Sequence, residues 1–243
     1  MARERIKTCA HLMASLLTSG AISIFFTSAA GAASQAMKLS QTHLFFGKCL
    51  LIVAPDGFRL ENKGRLHFTV VAKAPTWQVT IFRDDDKVYV TESLTQFEES
   101  GLASEMLVKK QGKYYVAKSR KSLIPFCGKS IVRITGKNKT IKYLPLNGLP
   151  VQLERLIYAA YKTPTNGGIA TGFSHVNRSR DFISGLENRG SIETVLDTDK
   201  IEDITVGAHI FDPPTGYKRA KSVREVVAGE STRDKNADFG VLF

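Results

Sequence analysis

Phe58-Arg-Leu-Glu61, Leu66-His-Phe-Thr-Val-Val-Ala72, Trp77-Gln-Val-Thr-Ile-Phe82 and Lys87-Val-Tyr-Val-Thr91 follow one another with only short polar breaks between them. Leu66, Phe68, Val70 and Ala72 alternate with His67, Thr69, Val71 and Lys73, and Trp77, Val79 and Ile81 alternate with Gln78, Thr80 and Phe82. A period of two is what a half-buried strand requires, because successive side chains leave opposite sides of the backbone. The breaks carry turn chemistry: Pro55-Asp-Gly57, Asn62-Lys-Gly64, Pro75 and the polar tip Arg83-Asp-Asp-Asp-Lys87. Residues 58–92 therefore predict a curved antiparallel sheet that the rest of the chain extends or lies against.

Working outward, Met37 to Cys49 reads as a lead-in and Gly47–Val53 as a strand. On the other side, Ser93-Leu-Thr-Gln96 has the spacing of a capping box and Gly101 that of a stop, so a short helix is expected with Leu94 and Phe97 turned inward. Lys113–Lys118, Lys129–Thr135 and Thr140–Leu144 follow as strands. Leu149–Lys162 is the best helix, with Leu149, Leu153, Leu156, Ile157 and Ala160 in one apolar stripe and prolines at both ends. Thr165–Gly190 reads as a long loop with a strand at Ile169–Phe173, and Ile192–Thr198 and Ile204–Phe211 as two further strands. Ser222-Val-Arg-Glu225 starts a last short helix, and residues 229–243 form a polar, disordered tail. At 243 residues and 43% hydrophobic, the chain suffices for one core, so residues 37–228 are expected to form a single α+β domain.

Residues 1–36 stand apart. Arg3, Arg5 and Lys7 precede a short apolar run, Leu12–Phe26, and two small-x-small sites follow, Ala30-Gly-Ala32 and Ser34-Gln-Ala36. That order is a cleaved secretory signal, and the run is shorter than the roughly 20 apolar residues that span a bilayer. The expected location is periplasmic or otherwise extracytoplasmic. The signal carries three basic residues and one acid, so the remainder keeps +9 of the overall +11. Outside the cytoplasm such a surplus suits an anionic membrane surface or an acidic polymer more than nucleic acid, or it serves solubility alone. Cys49 and Cys127 could form one disulfide or stay as two small buried thiols.

Catalytic and metal motifs are missing from this reading, and no cofactor is expected. Gly128-Lys129-Ser130 lacks the earlier glycine of a phosphate loop, since position 123 is Leu. Asp84-Asp85-Asp86 reads as a solvated hairpin tip, and Asp197-Thr-Asp199 lacks the glycine and glutamate of a calcium loop. His43, His67, His175 and His209 are scattered. No reaction is assigned, although a site assembled by folding would not show in this way.

Taken in order, "PDGFRLEN" and "APTWQVTIFRDDDKVYV" early, "PVQLERLIYAAYK" late, and the ending "IFDPPTGYKRAKSVREVV" resemble the LolA-like family of periplasmic lipoprotein and lipid carriers, over about residues 39–228. The resemblance implies an open antiparallel half-barrel with short helices covering its concave face, and a lipid or acylated protein held in the apolar cleft between them. Phe68, Val70, Trp77, Val79, Ile81, Tyr114, Val116, Leu156 and Ile157 are then the candidate lining residues, and equally the ordinary core of a sheet-plus-helix domain. Arg59 takes the place of the arginine with which such carriers engage their lid. The rivals are a ligand-free envelope interaction module and, last, a hydrolase centred on His175 or His209.

Overall fold

In the computed structural model, which describes residues 33–64, 66–102, 119–177, 190–207 and 209–229, twelve strands form one sheet. In chain order the elements are β1 (Ser34–His43), β2 (Gly47–Ala54), β3 (Gly57–Asn62), β4 (Phe68–Lys73), β5 (Gln78–Arg83), β6 (Val88–Glu92), α1 (Leu94–Ser100), β7 (Arg120–Phe126), β8 (Lys129–Thr135), β9 (Lys139–Pro145), α2 (Val151–Tyr161), β10 (Gly168–Asn177), β11 (Ser191–Val206), β12 (Lys218–Arg219) and α3 (Val223–Ala228). The strand order is β12-β6-β5-β4-β3-β2-β1-β11-β10-β9-β8-β7. Every pairing is antiparallel except the two-residue contact of β12 with β6. The sheet is curved and unclosed, with β12 and β7 at its edges.

Register decides what each face carries, because residues directly opposite in an antiparallel pair share a face. Leu39, Leu51, Leu60, Val70, Ile81 and Val90 stand opposite one another in turn across β1 to β6. The neighbouring row runs Val53, Phe58, Ala72 and Val79. These residues form one hydrophobic cluster with Leu94 and Phe97 of α1, Leu153, Leu156 and Ile157 of α2, and Val226 and Val227 of α3. The opposite face has a smaller cluster of Ala36, Ile52, Ala54, Val206 and Phe211. There the chain leaves the sheet after Val206 and lays Phe211 against Gly57. A Cβ on Gly57 would lie 2.1 Å from the Phe211 ring, so only glycine permits that approach.

The helices begin where expected. The Ser93 hydroxyl accepts the Gln96 backbone N–H at 3.2 Å while the Ser93 N–H donates to the Gln96 side chain at 2.9 Å, so both halves of the box form. Ser222 accepts from the Glu225 N–H at 3.3 Å, but the Glu225 carboxylate takes the N–H of Lys221 at 2.8 Å instead of returning to Ser222.

Four stretches differ from expectation. The lead-in before Gly47 is a full strand, β1, whose buried side chains include Gln41 and His43, so apolar alternation is lost there. The two strands expected over 192–211 are one strand of 16 residues ending at Val206. Its polar centre is no turn: the pairing with β1 shifts register near Ser40 and Gln41, Thr198 is buried, and Lys142 pairs with Asp197 at 3.4 Å. β7 escapes sequence reading because it is an edge strand that tolerates Pro125 and stays largely exposed. The strand expected at Ile169–Phe173 within the loop 165–190 forms and runs longer, as the 10-residue β10. The expected strand 113–118, residues 178–189, most of the expected signal segment and the tail from 230 lie outside the described residues.

Candidate functional site

Seven of the nine candidate lining residues come together. Phe68, Val70, Trp77, Val79, Ile81, Leu156 and Ile157 are all buried members of the main cluster. Tyr114 and Val116 lie outside the described residues. Strand alternation puts Phe68, Val70, Val79 and Ile81 on one face, and Trp77 joins them from the turn between β4 and β5, where its N–H donates to the Lys73 carbonyl at 2.8 Å. The helical period of α2 sends Leu153, Leu156, Ile157 and Ala160 to that cluster, while Ala159 and Tyr161 are buried as well.

Arg59 is not among them. Alternation turns it to the other face, where its Nε donates to Glu61 at 2.6 Å and its Nη1 to the Ile210 carbonyl at 3.0 Å. Its guanidinium also sits 5.9 Å from the Phe82 ring centre. The early-strand arginine that does meet a helix is Arg83, at the end of β5 on the same face as Ile81. It is 2% exposed, donates from Nε to the Val226 carbonyl at 3.0 Å and from Nη2 to the Val227 carbonyl at 2.7 Å, and also bonds the Leu66 carbonyl. A cation on the last carbonyls of α3 meets the negative end of its peptide dipoles. Sequence reading assigned Arg83 to the hairpin tip, and only the period-two count from Ile81 carries the signal that it faces inward.

Beneath the C-terminal turn of α2 lies a buried polar group. The Tyr161 hydroxyl donates to Gln41 Oε1 at 2.8 Å, and Gln41 Nε2 donates to Thr198 Oγ1 at 2.9 Å and the Ala170 carbonyl at 3.0 Å. His43 stacks between Phe46 and Tyr161, with ring centres 4.6 and 5.3 Å away. Burial holds its imidazole down at about 4, against a weaker raising effect of the Tyr161 carbonyl. Burial likewise pushes the Cys49 thiol up to about 12, although Asn62 and Tyr161 work the other way. Such groups stay neutral and satisfied, which suits structure and leaves neither poised as base or nucleophile. Asn62 organises its own turn: its side-chain Oδ1 accepts the N–H groups of Gly64, Leu66 and His67 at 3.1 to 3.3 Å.

The cysteines do not pair, since Cys49 is buried and Cys127 is exposed. His175 meets Glu193 at 3.2 Å and His209 meets Asp212 at 2.7 Å. Asp212 is also held by Lys73 at 2.6 Å, and the His209 pair is exposed on the sheet's second face. The acidic tip is occupied by side chains: Asp84 accepts the Tyr217 hydroxyl at 2.5 Å, His67 stands 3.5 Å from Asp85, and Arg83 stands 3.6 Å from Asp86.

The fold and the apolar face together define a sheet-rich α+β protein, with an unclosed, curved, almost wholly antiparallel sheet and few helices. No family model matches the chain, and no curated protein is similar to it in sequence.

Proposed function

We propose that the chain is an exported envelope protein whose helices α1 and α2 cover the concave face of the sheet, and that an acyl chain of a lipid or lipid-modified protein is buried between them, as the LolA-like resemblance implies. One observation carries this reading. A cross-strand row of six aliphatic residues, Leu39, Leu51, Leu60, Val70, Ile81 and Val90, spans half the strands of an open sheet without a polar interruption. A continuous apolar floor beneath short helices is what an extended hydrocarbon needs, and each methylene moved there from water gains about 0.8 kcal/mol. The reading assigns no reaction.

A second reading is favoured by the packing of that same floor. The row is already buried against residues of α1, α2 and α3, as in a ligand-free interaction module. Trp77 separates the two, because it is the chain's single tryptophan and a member of the cluster. The exported chain, purified from a membrane-free fraction, is extracted with organic solvent and analysed by mass spectrometry, then titrated with a brominated fatty acid. Co-extracted lipid and quenching of Trp77 emission are expected. A bare protein with unquenched emission would leave the interaction module standing.

A further inference from the structure

From Met106 to Leu153 the chain has no Asp or Glu, but eleven Lys and Arg. Removing these from the 34 basic residues leaves 23, which the 23 acidic residues balance. The entire surplus of positive charge therefore belongs to one stretch, which holds β7, β8 and β9 at one edge of the sheet.

Register concentrates part of it at one end of those strands. Arg120 stands opposite Thr135, and His175 opposite Lys139. The Val176 N–H bonds the Asn138 carbonyl at 2.9 Å, and Val176 stands opposite Ile192. Arg120, Lys121, Lys137 and Lys139 thus share an end with the start of β11. Lys129 is drawn to Asp203 and Lys142 to Asp197, but among the described residues no ion pair takes Arg120, Lys121 or Lys137. Among the described residues, the acid facing this end is Glu193, which pairs with His175. Two of the most exposed large aliphatic side chains lie here too: Leu123, about 10 Å along β7 from Arg120 at the usual strand rise, is 70% exposed, and Ile192 is 76% exposed.

We infer that this end of the sheet docks on an anionic lipid bilayer. Cations alone would suit any polyanion. Exposed aliphatic groups flanking them suit the boundary between headgroups and acyl chains, which attracts both. The inference is independent of whether the interior holds an acyl chain.

The test is flotation of the exported chain with vesicles of phosphatidylcholine, alone or mixed with phosphatidylglycerol, at low and high salt. Binding is expected only to the anionic vesicles, and weaker at high salt. The triple change Arg120→Glu, Lys121→Glu and Lys137→Glu should weaken it at least about a hundredfold, given several-fold for each basic residue lost near such a surface. Changing Lys48, Lys87 and Lys218 to Glu alters net charge equally but elsewhere, and should leave binding near wild type. Leu123→Ser with Ile192→Ser should make the remaining binding more salt-sensitive. Circular dichroism checks each fold; if the Glu triple is unfolded, the Gln triple replaces it. Equal binding to both vesicle types, or equal loss in the two charge-matched triples, overturns the inference. So does capture by soluble polyglutamate without vesicle binding.

Discussion

Arg83→Met deletes a guanidinium while keeping most of the side-chain stem. Three carbonyl oxygens, those of Leu66, Val226 and Val227, lose a charged donor. Bonds to charged groups contribute about 1.5–3 kcal/mol each, and a buried acceptor left unpaired keeps its desolvation cost. The two carbonyls at the end of α3 can turn partly to water, so we expect a loss of about 4 kcal/mol, a large share of the roughly 5–15 kcal/mol typical of a domain. Arg83→Lys keeps the charge but reaches fewer oxygens, and should cost about half as much. Urea unfolding followed by Trp77 emission reads both, and limited proteolysis near α3 shows whether that helix detaches first. Gly229 supplies an independent check. A Cβ there would lie 2.2 Å from Arg83 Nη1 and its φ is +59°, so Gly229→Ala should expose α3 to protease in the same way. An Arg83→Met protein within about 1 kcal/mol of wild type would refute the reasoning, because it would place those carbonyls in water already.

Other outcomes follow from single contacts. His43 is held at about 4 in the fold against 6.5 when unfolded, so between those values the unfolded chain takes the proton more readily. Stability should be full above pH 6.5 and fall as pH drops toward 4, by about 3 kcal/mol at most, and His43→Gln should flatten that part of the urea-midpoint profile. Gly57→Ala should displace Phe211 and cost about 2 kcal/mol, with part of that cost absent when Phe211 is already Ala, as a double-mutant cycle would show. Ala36 is buried and stands opposite Ile204, so cleavage at the earlier small-residue site is the one that leaves β1 whole. If the chain is exported as proposed, its intact mass should then place the first residue at Ala33.

The meander was legible because one rule covers most of it. Phe68 to Lys73 and Gln78 to Arg83 alternate between faces, the turns carry Gly, Pro and Asn, and the rows across β3, β4 and β5 match that alternation, although both faces of β4 and β5 are buried and Trp77 lies in the turn. Helices α1 and α2 were legible from a capping box and a stripe. The failures share a cause: partners distant in sequence. Gln41 and His43 look solvent-facing until Tyr161, 120 and 118 residues later, supplies their partners. Thr198 looks like the end of a strand until Gln41 donates to it across the continuing β11. Arg59 and Arg83 both sit on early strands, and which of them meets a helix depends on counting faces through a hairpin. Of the site, the apolar floor could be read from alternation, whereas the arginine against α3 could not be read from residue type.

The proposed acyl site also makes a mechanical demand. A chain of about fourteen methylenes gains roughly 11 kcal/mol on leaving water, while uncovering the buried side chains of both helices costs on the order of 10 kcal/mol. The two terms nearly cancel, so binding depends on whether both helices must move together. What joins them is a fork: Arg155 Nε and Nη2 donate to the two Glu98 oxygens at 2.6 and 2.5 Å, and Lys162 Nζ donates to the Glu98 carbonyl at 3.0 Å. What holds them to the sheet is apolar contact. Arg155→Ala therefore removes the fork, leaves the Lys162 bond to Glu98, and leaves each helix's hold on the sheet in place. Its stability cost should stay below about 1 kcal/mol, as for a half-exposed ion pair. With the fork gone the helices are joined less firmly and one can open alone at a smaller cost, so uptake of a fluorescent acyl probe should become several-fold faster. In a ligand-free module the same change would alter neither uptake nor Trp77 emission. An unchanged uptake rate in a protein that binds the probe would show that the two helices already open separately.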